Sequence, residues 1–246
     1  MNADLNSNNC FYDDLDKNFE LAYKMSEIDF SHDELISMLR NGNIPEKQIA
    51  ALKFDYVKDK NDATALLSNL TGCDGKIREA VAQKIHSLLA SSSDAKTIFS
   101  KLSAEKFADA TIDINANICR LIVDSSALLK YDEQFAKAYI NRIVFYTQQA
   151  LDELDKFIFR DKKYVINKQI FKLYWCLEAL CVFNNQVDDY TLKNILNKCV
   201  LQSEYTIREK VAQIISSTDK YDDLKQKLIN DENYYVREAL HHPSIL

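Results

Sequence analysis

A basic and aromatic stretch between residues 157 and 175 offers the clearest candidate for binding chemistry. Its members are the cations Arg160, Lys162, Lys163, Lys168 and Lys172 and the aromatic residues Tyr164 and Trp175. Cations that neutralise phosphates, interleaved with rings on which bases stack, are the ingredients of a nucleic-acid surface. A charged loop between two helices whose rings turn inward has the same composition, and we expect that structural arrangement.

The carboxylate pairs are weaker candidates for catalysis. Adjacent carboxylates at Asp152-Glu153, Asp188-Asp189 and Asp222-Asp223 could serve acid-base chemistry or hold a metal ion. Acidic residues are also favoured at helix starts, and we expect that role here. We therefore predict no catalytic residue and no cofactor.

Histidine and cysteine also lack the spacing of a metal site. The chain has four histidines and six cysteines, with no C-x-x-C pair, and zinc sites need clustered ligands of these types. Cys119, Cys176, Cys181 and Cys199 lie in apolar stripes. We expect them to be small buried hydrophobes in a reducing compartment, and we predict no metal.

Charge and hydropathy limit the partners. The net charge is −6 and the isoelectric point is about 5.3, which gives no overall attraction to nucleic acid or anionic lipid. Residues 1–9 contain no basic segment followed by an apolar one, as a signal peptide would, and no run approaches the roughly 20 apolar residues that span a bilayer. We expect a cytoplasmic protein without a membrane partner, and nucleic acid as a partner is unsupported.

The elements that position these residues are predicted to be helices. Three Gly and two Pro in 246 residues are far below the usual roughly 7 and 5 per cent, too few for hairpins or Gly-rich phosphate loops. The stretch Ile77–Ile85 recurs as Ile207–Ile215 with seven of nine positions identical, and its head returns as Val236-Arg237-Glu238. In the first copy the apolar residues are spaced along one helical stripe.

Each copy also carries a helix-start signal. A polar residue stands four positions before each Arg: Asp74, Glu204 and Asn233. Such a side chain can accept hydrogen bonds from the free N–H groups of the first turn. The repeated motif therefore marks the start of a helix that occurs several times.

The motif resembles the second helix of a HEAT repeat, in which a β-branched residue and Arg are followed by small and apolar residues. The residues that carry this resemblance are Ile77-Arg78, Ile207-Arg208 and Val236-Arg237. The family often has an acidic residue six positions before the Arg; Asp231 fits this offset, whereas Gly72 and Gln202 do not. The last unit also looks like a leucine-rich-variant repeat. We expect Arg78, Arg208 and Arg237 to bridge adjacent units.

The resemblance implies an all-α, right-handed α-solenoid of about five or six HEAT-like helical pairs. We take the unit starts to be Ile44, Ile77, Ile114, Val165, Ile207 and Val236. Their spacing ranges from 29 residues (207 to 236) to 51 (114 to 165), around the period of two-helix repeats. We expect one domain, residues 11–246, after a frayed N-terminus, residues 1–10.

By analogy with this architecture, the favoured function is non-enzymatic: a scaffold that binds a protein partner on the concave surface of the stacked inner helices. Two alternatives stay open. HEAT-like DNA glycosylases resemble this chain in architecture and size, although their catalytic Asp and Arg have no matching positions here. The second alternative is a HEAT-like lyase or protein-modifying subunit, as in bilin attachment.

Overall fold

Every segment of regular structure that the computed structural model describes is helical. The structure describes residues 17, 20–72, 74–156, 163–216, 218 and 220–241. The chain divides into two compact units, residues 1–99 and 100–246. The all-α prediction is therefore confirmed over the described residues.

The first unit contains two helical pairs in its described part. Its helices are α1 (His32–Asn41), α2 (Ile44–Lys53), α3 (Lys60–Leu67) and α4 (Gly75–Ser91), and residues 20–26 are also helical. Helix α5 (Ser93–Leu102) contains the boundary between the units. Helix α1 packs against α2 and α3, and α2 packs against α4.

Local sequence signals explain where the first helices begin and end. Ser31 and Glu34 form a capping box at the start of α1, and Asn43 and Glu46 form another at the start of α2; each box satisfies free N–H groups of the first turn. Gly42 lies between these helices. A Cβ atom there would come within 2.5 Å of the Met38 carbonyl oxygen, so only glycine fits without a backbone shift.

A side-chain hydrogen bond joins α1 to α3 in this unit. The Nε2 atom of His32 lies 2.8 Å from an Asp62 carboxylate oxygen, and the His32 ring stacks on Tyr56 with centroids 4.4 Å apart. Asp62 also accepts a hydrogen bond from the Lys58 backbone N–H. The buried Asp62 is thus satisfied by two partners, as a buried carboxylate requires.

The second unit consists of four helical pairs in its described part. They are α6 (Ala104–Thr111) with α7 (Ala116–Ala127), α8 (Glu133–Lys156) with α9 (Lys163–Phe183), α10 (Asp189–Cys199) with α11 (Tyr205–Ser216), and α12 (Asp222–Leu228) with α13 (Tyr234–His241). A short 3-10 helix, Asn184–Gln186, follows α9.

These pairs are stacked in two rows. In the second-helix row, α7 packs against α9, α9 against α11, and α11 against α13. In the first-helix row, α6 packs against α8 and α8 against α10. Each pair therefore buries its apolar stripe against neighbouring pairs, which is the arrangement of a helical repeat. Two pairs in the first unit and four in the second agree with the five or six that we predicted.

Aromatic residues fill the centre of the second unit. Phe107, Phe135, Tyr139 and Phe183 are completely or almost completely buried, with successive ring centroids 5.6, 5.6 and 5.2 Å apart. The Tyr139 hydroxyl is 2.7 Å from the Thr111 hydroxyl. A buried phenol needs such a partner, so this hydrogen bond fixes the register between α6 and α8.

The three motif copies occupy equivalent places, whereas the predicted unit starts Ile44 and Ile114 do not. Ile77, Ile207 and Val236 are each the third residue of a second helix, and each is buried. Val165 is the third residue of α9, although it is 37% exposed, whereas Ile44 is the first residue of α2 and Ile114, which is 76% exposed, lies before α7. In α7 the third residue is Ile118, one turn later than we expected. At Ile44 and Ile114, where no Arg follows, apolar spacing alone predicted the wrong position relative to the helix start.

The domain prediction extends beyond the described residues at its start. Residues 1–10, which we expect to be frayed, lie outside the described part of the chain. A single domain over residues 11–246 stays a prediction.

We predict that Tyr139→Phe destabilises the protein by about 1 kcal/mol, because a net hydrogen bond inside a protein contributes roughly that amount. Urea unfolding followed by circular dichroism measures the change. Tyr131→Phe is the matched control, since Tyr131 is largely exposed and the variant should unfold like the wild type. Equal stability of the Tyr139 variant and the wild type would contradict the proposed role of the buried hydroxyl.

Candidate interaction surface

The motif arginines hold the loops that precede the second helices. In all three copies the Arg is the fourth helical residue, and its Nη1 donates to the carbonyl oxygen six residues earlier: Arg78 to Gly72 at 2.6 Å, Arg208 to Gln202 at 2.8 Å, and Arg237 to Asp231. We call this contact the arginine clip. It satisfies a carbonyl in the loop and fixes the direction from which the chain enters each second helix.

Arg208 also joins two neighbouring pairs. Its Nε and Nη2 donate to the two carboxylate oxygens of Asp231 at 2.7 and 3.0 Å, which is the bidentate geometry of a strong charge-assisted pair. Asp231 precedes α13, so this contact links α11 to the last pair. The hydrogen bonds from Arg208 hold the pKa of Asp231 below its ordinary value.

The fourth position of α7 is occupied by Cys119 in place of Arg. Its thiol donates to the Asp113 carbonyl oxygen at 3.0 Å, again six residues earlier. The loop before it matches the loop before α13: the Asp113 and Asp231 carboxylates accept from the N–H groups of Asn115 and Asn233, two residues on. The clip thus survives in α7 with a weaker donor, since a thiol is a poor hydrogen-bond donor.

The basic and aromatic stretch does not form one exposed surface in the described residues. Arg160 and Lys162 lie outside them. Lys163, Tyr164 and Lys168 are exposed on the first turns of α9, whereas the Trp175 side chain is only 8% exposed. Its ring contacts Phe171 and Tyr174 at 6.2 and 5.3 Å. Trp175 is therefore not available for base stacking.

Lys172 is used inside the second unit. Its ammonium donates to Gln149 of α8 and lies 4.8 Å from the centroid of the Tyr146 ring. Burial lowers the pKa of Lys172. A partly buried lysine with these partners stabilises the α8–α9 contact and contributes little to a phosphate-binding surface.

A buried charge pair lies in the second-helix row, and we did not predict it from the sequence. Lys210 of α11 forms an ion pair with Glu178 of α9, donates to Gln213 at 2.8 Å and lies 5.0 Å from the Tyr174 ring centroid. Burial alone would lower the pKa of Lys210, but the Glu178 carboxylate outweighs it and the pKa is raised. The signal that could have indicated this pair is Lys210 itself, because the first motif copy has the small residue Ala80 at the same position.

Three exposed tyrosines gather where α11 and α13 begin. Tyr205, Tyr234 and Tyr235 are 38%, 59% and 59% exposed. The Tyr205 and Tyr235 rings stack with centroids 6.2 Å apart, and Tyr234 meets Tyr235 edge to face at 5.7 Å. We call this group the tyrosine cluster. Sequence analysis missed it, although Tyr205 and Tyr234 occupy the same position before the motif in two copies.

The cysteines are suited to packing and poorly suited to nucleophilic chemistry. Cys119, Cys176 and Cys199 are buried and unbonded to one another. Burial raises the pKa of the Cys176 thiol to about 12, and the thiol form is a weak nucleophile. Among the residues that the structure describes, no group of three or more His, Cys, Asp and Glu side chains could hold a metal ion.

Comparison with family models and with curated proteins gave no match. Among solved structures, the chain is similar to the crystal structure of the archaeal HEAT-like repeats protein from Thermococcus onnurineus NA1, with 13% identity over 87% of this chain and 79% of that chain and a TM-score of 0.46. The name of that protein refers to HEAT-like repeats, the same kind of repeat that the Ile77-Arg78 motif resembles. In the described part of the chain, no helix has both the length and the apolarity that crossing a membrane requires.

We predict that Asp231→Asn costs about 2 kcal/mol at neutral pH, since hydrogen bonds to charged groups contribute roughly 1.5–3 kcal/mol. The folded pKa of Asp231 lies below its ordinary 3.8, so its stabilisation is complete above that value and is lost as pH falls through the folded pKa. The stability difference between wild type and variant should therefore shrink in acid.

The matched control is Asp223→Asn, which removes an exposed ion pair with Lys193 at 3.3 Å. Exposed pairs contribute about 0–1 kcal/mol, so its free energy of unfolding should change little at any pH. Denaturant unfolding at several pH values measures both variants. Equal losses for the two would show that the Arg208 pair has no special role.

Lys210→Met should destabilise the protein by about 1–3 kcal/mol, because it leaves the Glu178 carboxylate buried without a cation. Lys210→Met combined with Glu178→Leu should recover most of that loss. Lys220→Met, which removes an exposed ion pair with Asp189, is the control and should be close to neutral. Thermal unfolding measures all three, and a double variant as unstable as the single one would contradict the pairing.

Proposed function

We propose that this protein is a non-enzymatic scaffold that binds a protein partner through the second-helix row of its second unit. The tyrosine cluster carries the proposal. Three aromatic rings in mutual contact are left exposed, although burying them would be favourable. Tyrosine is enriched at protein interfaces and among the residues that dominate binding energy.

Several hydrogen bonds hold the helix starts around the cluster, which favours recognition by a preformed surface. The arginine clips of Arg208 and Arg237 fix the starts of α11 and α13, and the Arg208–Asp231 pair joins these two helices. The rings are thereby presented from defined positions. A partner would lose little conformational freedom of the scaffold on binding.

The nucleic-acid alternative has less support. Trp175 is buried and Lys172 is engaged with α8, which leaves Lys163, Tyr164 and Lys168 as the exposed members of the stretch among the described residues. The net charge of −6 also opposes binding to a phosphate backbone. A protein partner is therefore the function that we infer.

We predict that replacing the cluster by Tyr205→Ser, Tyr234→Ser and Tyr235→Ser abolishes partner binding while the protein stays folded. Affinity purification after crosslinking in the native cell, followed by mass spectrometry, compares this variant with the wild type. Since the rings are exposed, the circular dichroism spectrum should be unchanged.

The control variant carries Tyr131→Ser, Tyr164→Ser and Tyr190→Ser, three exposed tyrosines elsewhere in the second unit. It should retain the partners of the wild type. Loss of the same partners from both variants would contradict the assignment to the cluster. Recovery of nucleic acid with the wild type, and its loss from the Tyr164-containing variant, would favour the alternative.

A further inference from the structure

The rings of the tyrosine cluster are surrounded by more negative than positive charge. Four carboxylates and two guanidinium groups belong to the loops and helices that carry the rings, and they interact with one another or with a ring. These groups are Glu204, Asp231, Glu232, Glu238, Arg208 and Arg237. In this group of residues, the surface that would bind a partner therefore carries more negative than positive charge.

The two cations are occupied, whereas most of the acidic charge stays accessible. Arg208 is paired with the buried Asp231 carboxylate, and Arg237 donates to the Asp231 carbonyl oxygen. Glu232 lies 3.8 Å from Arg208, but its side chain is 91% exposed, and Glu204 is exposed. A ligand approaching the rings would meet the exposed carboxylates of Glu204 and Glu232, whereas the Arg208 side chain is only 10% exposed.

One carboxylate is tied directly to a ring. The Tyr234 hydroxyl is hydrogen-bonded to Glu238, which raises the pKa of Tyr234. This bond orients the Tyr234 ring on the first turn of α13 and adds electron density to its phenol oxygen. The aromatic faces of Tyr234 and Tyr235 stay open to solvent.

From this arrangement we infer that the tyrosine cluster binds an arginine- or lysine-rich segment of a partner protein. The inference rests on the proposed function and specifies the chemistry of the partner. Cations are attracted to the faces of aromatic rings, and the exposed carboxylates add charge complementarity that steers a cationic segment to the site. Arginine fits best, since its planar guanidinium can stack on a ring while it donates to a carboxylate.

A direct test uses the full chain and a fluorescent peptide of about 12 residues, which spans up to about 40 Å when extended. The probe repeats Arg-Gly-Ser, and the comparison peptides have Lys or Glu in place of Arg. Fluorescence anisotropy should show binding of the Arg peptide, weaker binding of the Lys peptide and none of the Glu peptide. Added salt should weaken binding, since it screens exposed charges.

Two triple variants separate the rings from the charges. Tyr205→Ser, Tyr234→Ser and Tyr235→Ser leaves every formal charge in place and should weaken Arg-peptide binding at least about tenfold, or about 1.4 kcal/mol. Glu204→Gln, Glu232→Gln and Glu238→Gln leaves the rings in place and should cause a similar loss with a reduced dependence on salt.

Matched controls exclude general attraction to an acidic protein. The Tyr131, Tyr164 and Tyr190 variant removes three exposed rings elsewhere, and Glu105→Gln, Asp124→Asn and Glu133→Gln neutralises three exposed carboxylates on α6, α7 and α8. Both should bind the Arg peptide like the wild type. Equal loss in both charge variants, or unchanged binding by the cluster variants, would overturn the inference.

The outcomes also separate this inference from the proposed function. If the tyrosine-cluster variant loses its crosslinked partners but the wild type does not bind the cationic peptides, the scaffold function stands and the cationic chemistry is wrong. If the peptides bind at the cluster and no partner depends on it in the cell, the site binds cationic segments but the scaffold proposal fails.

Discussion

The structure depends on how the second helices that carry the repeated motif begin. In α4, α11 and α13 a buried β-branched residue occupies the third helical position, and the next side chain donates to a carbonyl oxygen six residues earlier. The first contact anchors the helix in the apolar interior, and the second fixes the loop that leads into it. Because neighbouring pairs bury their surfaces against one another, an error in the entry direction of one helix would be carried into the next contact. The arginine is conspicuous in the sequence because this geometry requires a long side chain with several donors.

The surface that we assign to binding is a consequence of the same geometry. The residues just before the buried third position stand at the first turn, beyond the reach of the core. In α11 and α13 these positions hold Tyr205, Tyr234 and Tyr235, and the contact between the two helices brings the rings together. The arrangement that stabilises the repeat therefore also aligns the side chains that are free to contact a partner.

The sequence predicted the fold where local signals and periodicity agreed. Capping residues located helix starts, such as Asp74 and Asn233, and the motif located the equivalent third positions. It failed at Ile114, where apolar spacing was the only guide. The loop signal was present, since Asp113 precedes Cys119 by the same six residues that separate Asp231 from Arg237, but a cysteine in the arginine position concealed it.

The site was harder to predict, because it depends on contacts between helices distant in sequence. Nothing local shows that Tyr205 and Tyr235 stack or that Lys210 meets Glu178. The composition of the basic stretch was conspicuous, yet Trp175 and Lys172 turn inward because α9 packs on four neighbouring helices, α6, α7, α8 and α11. Their partners on other helices, and not their own neighbours in sequence, decide which rings stay exposed.

The bidentate pair between Arg208 and Asp231 makes the contact between α11 and α13 sensitive to pH. These two helices also pack through buried apolar side chains, among them Ile207 and Val236. Protonation of the Asp231 carboxylate in acid would remove the charged contact and leave the apolar one. Acid would accordingly loosen the first turns of α11 and α13, where the stacked phenols lie, while the aromatic interior around Tyr139, which contains no carboxylate, stays folded.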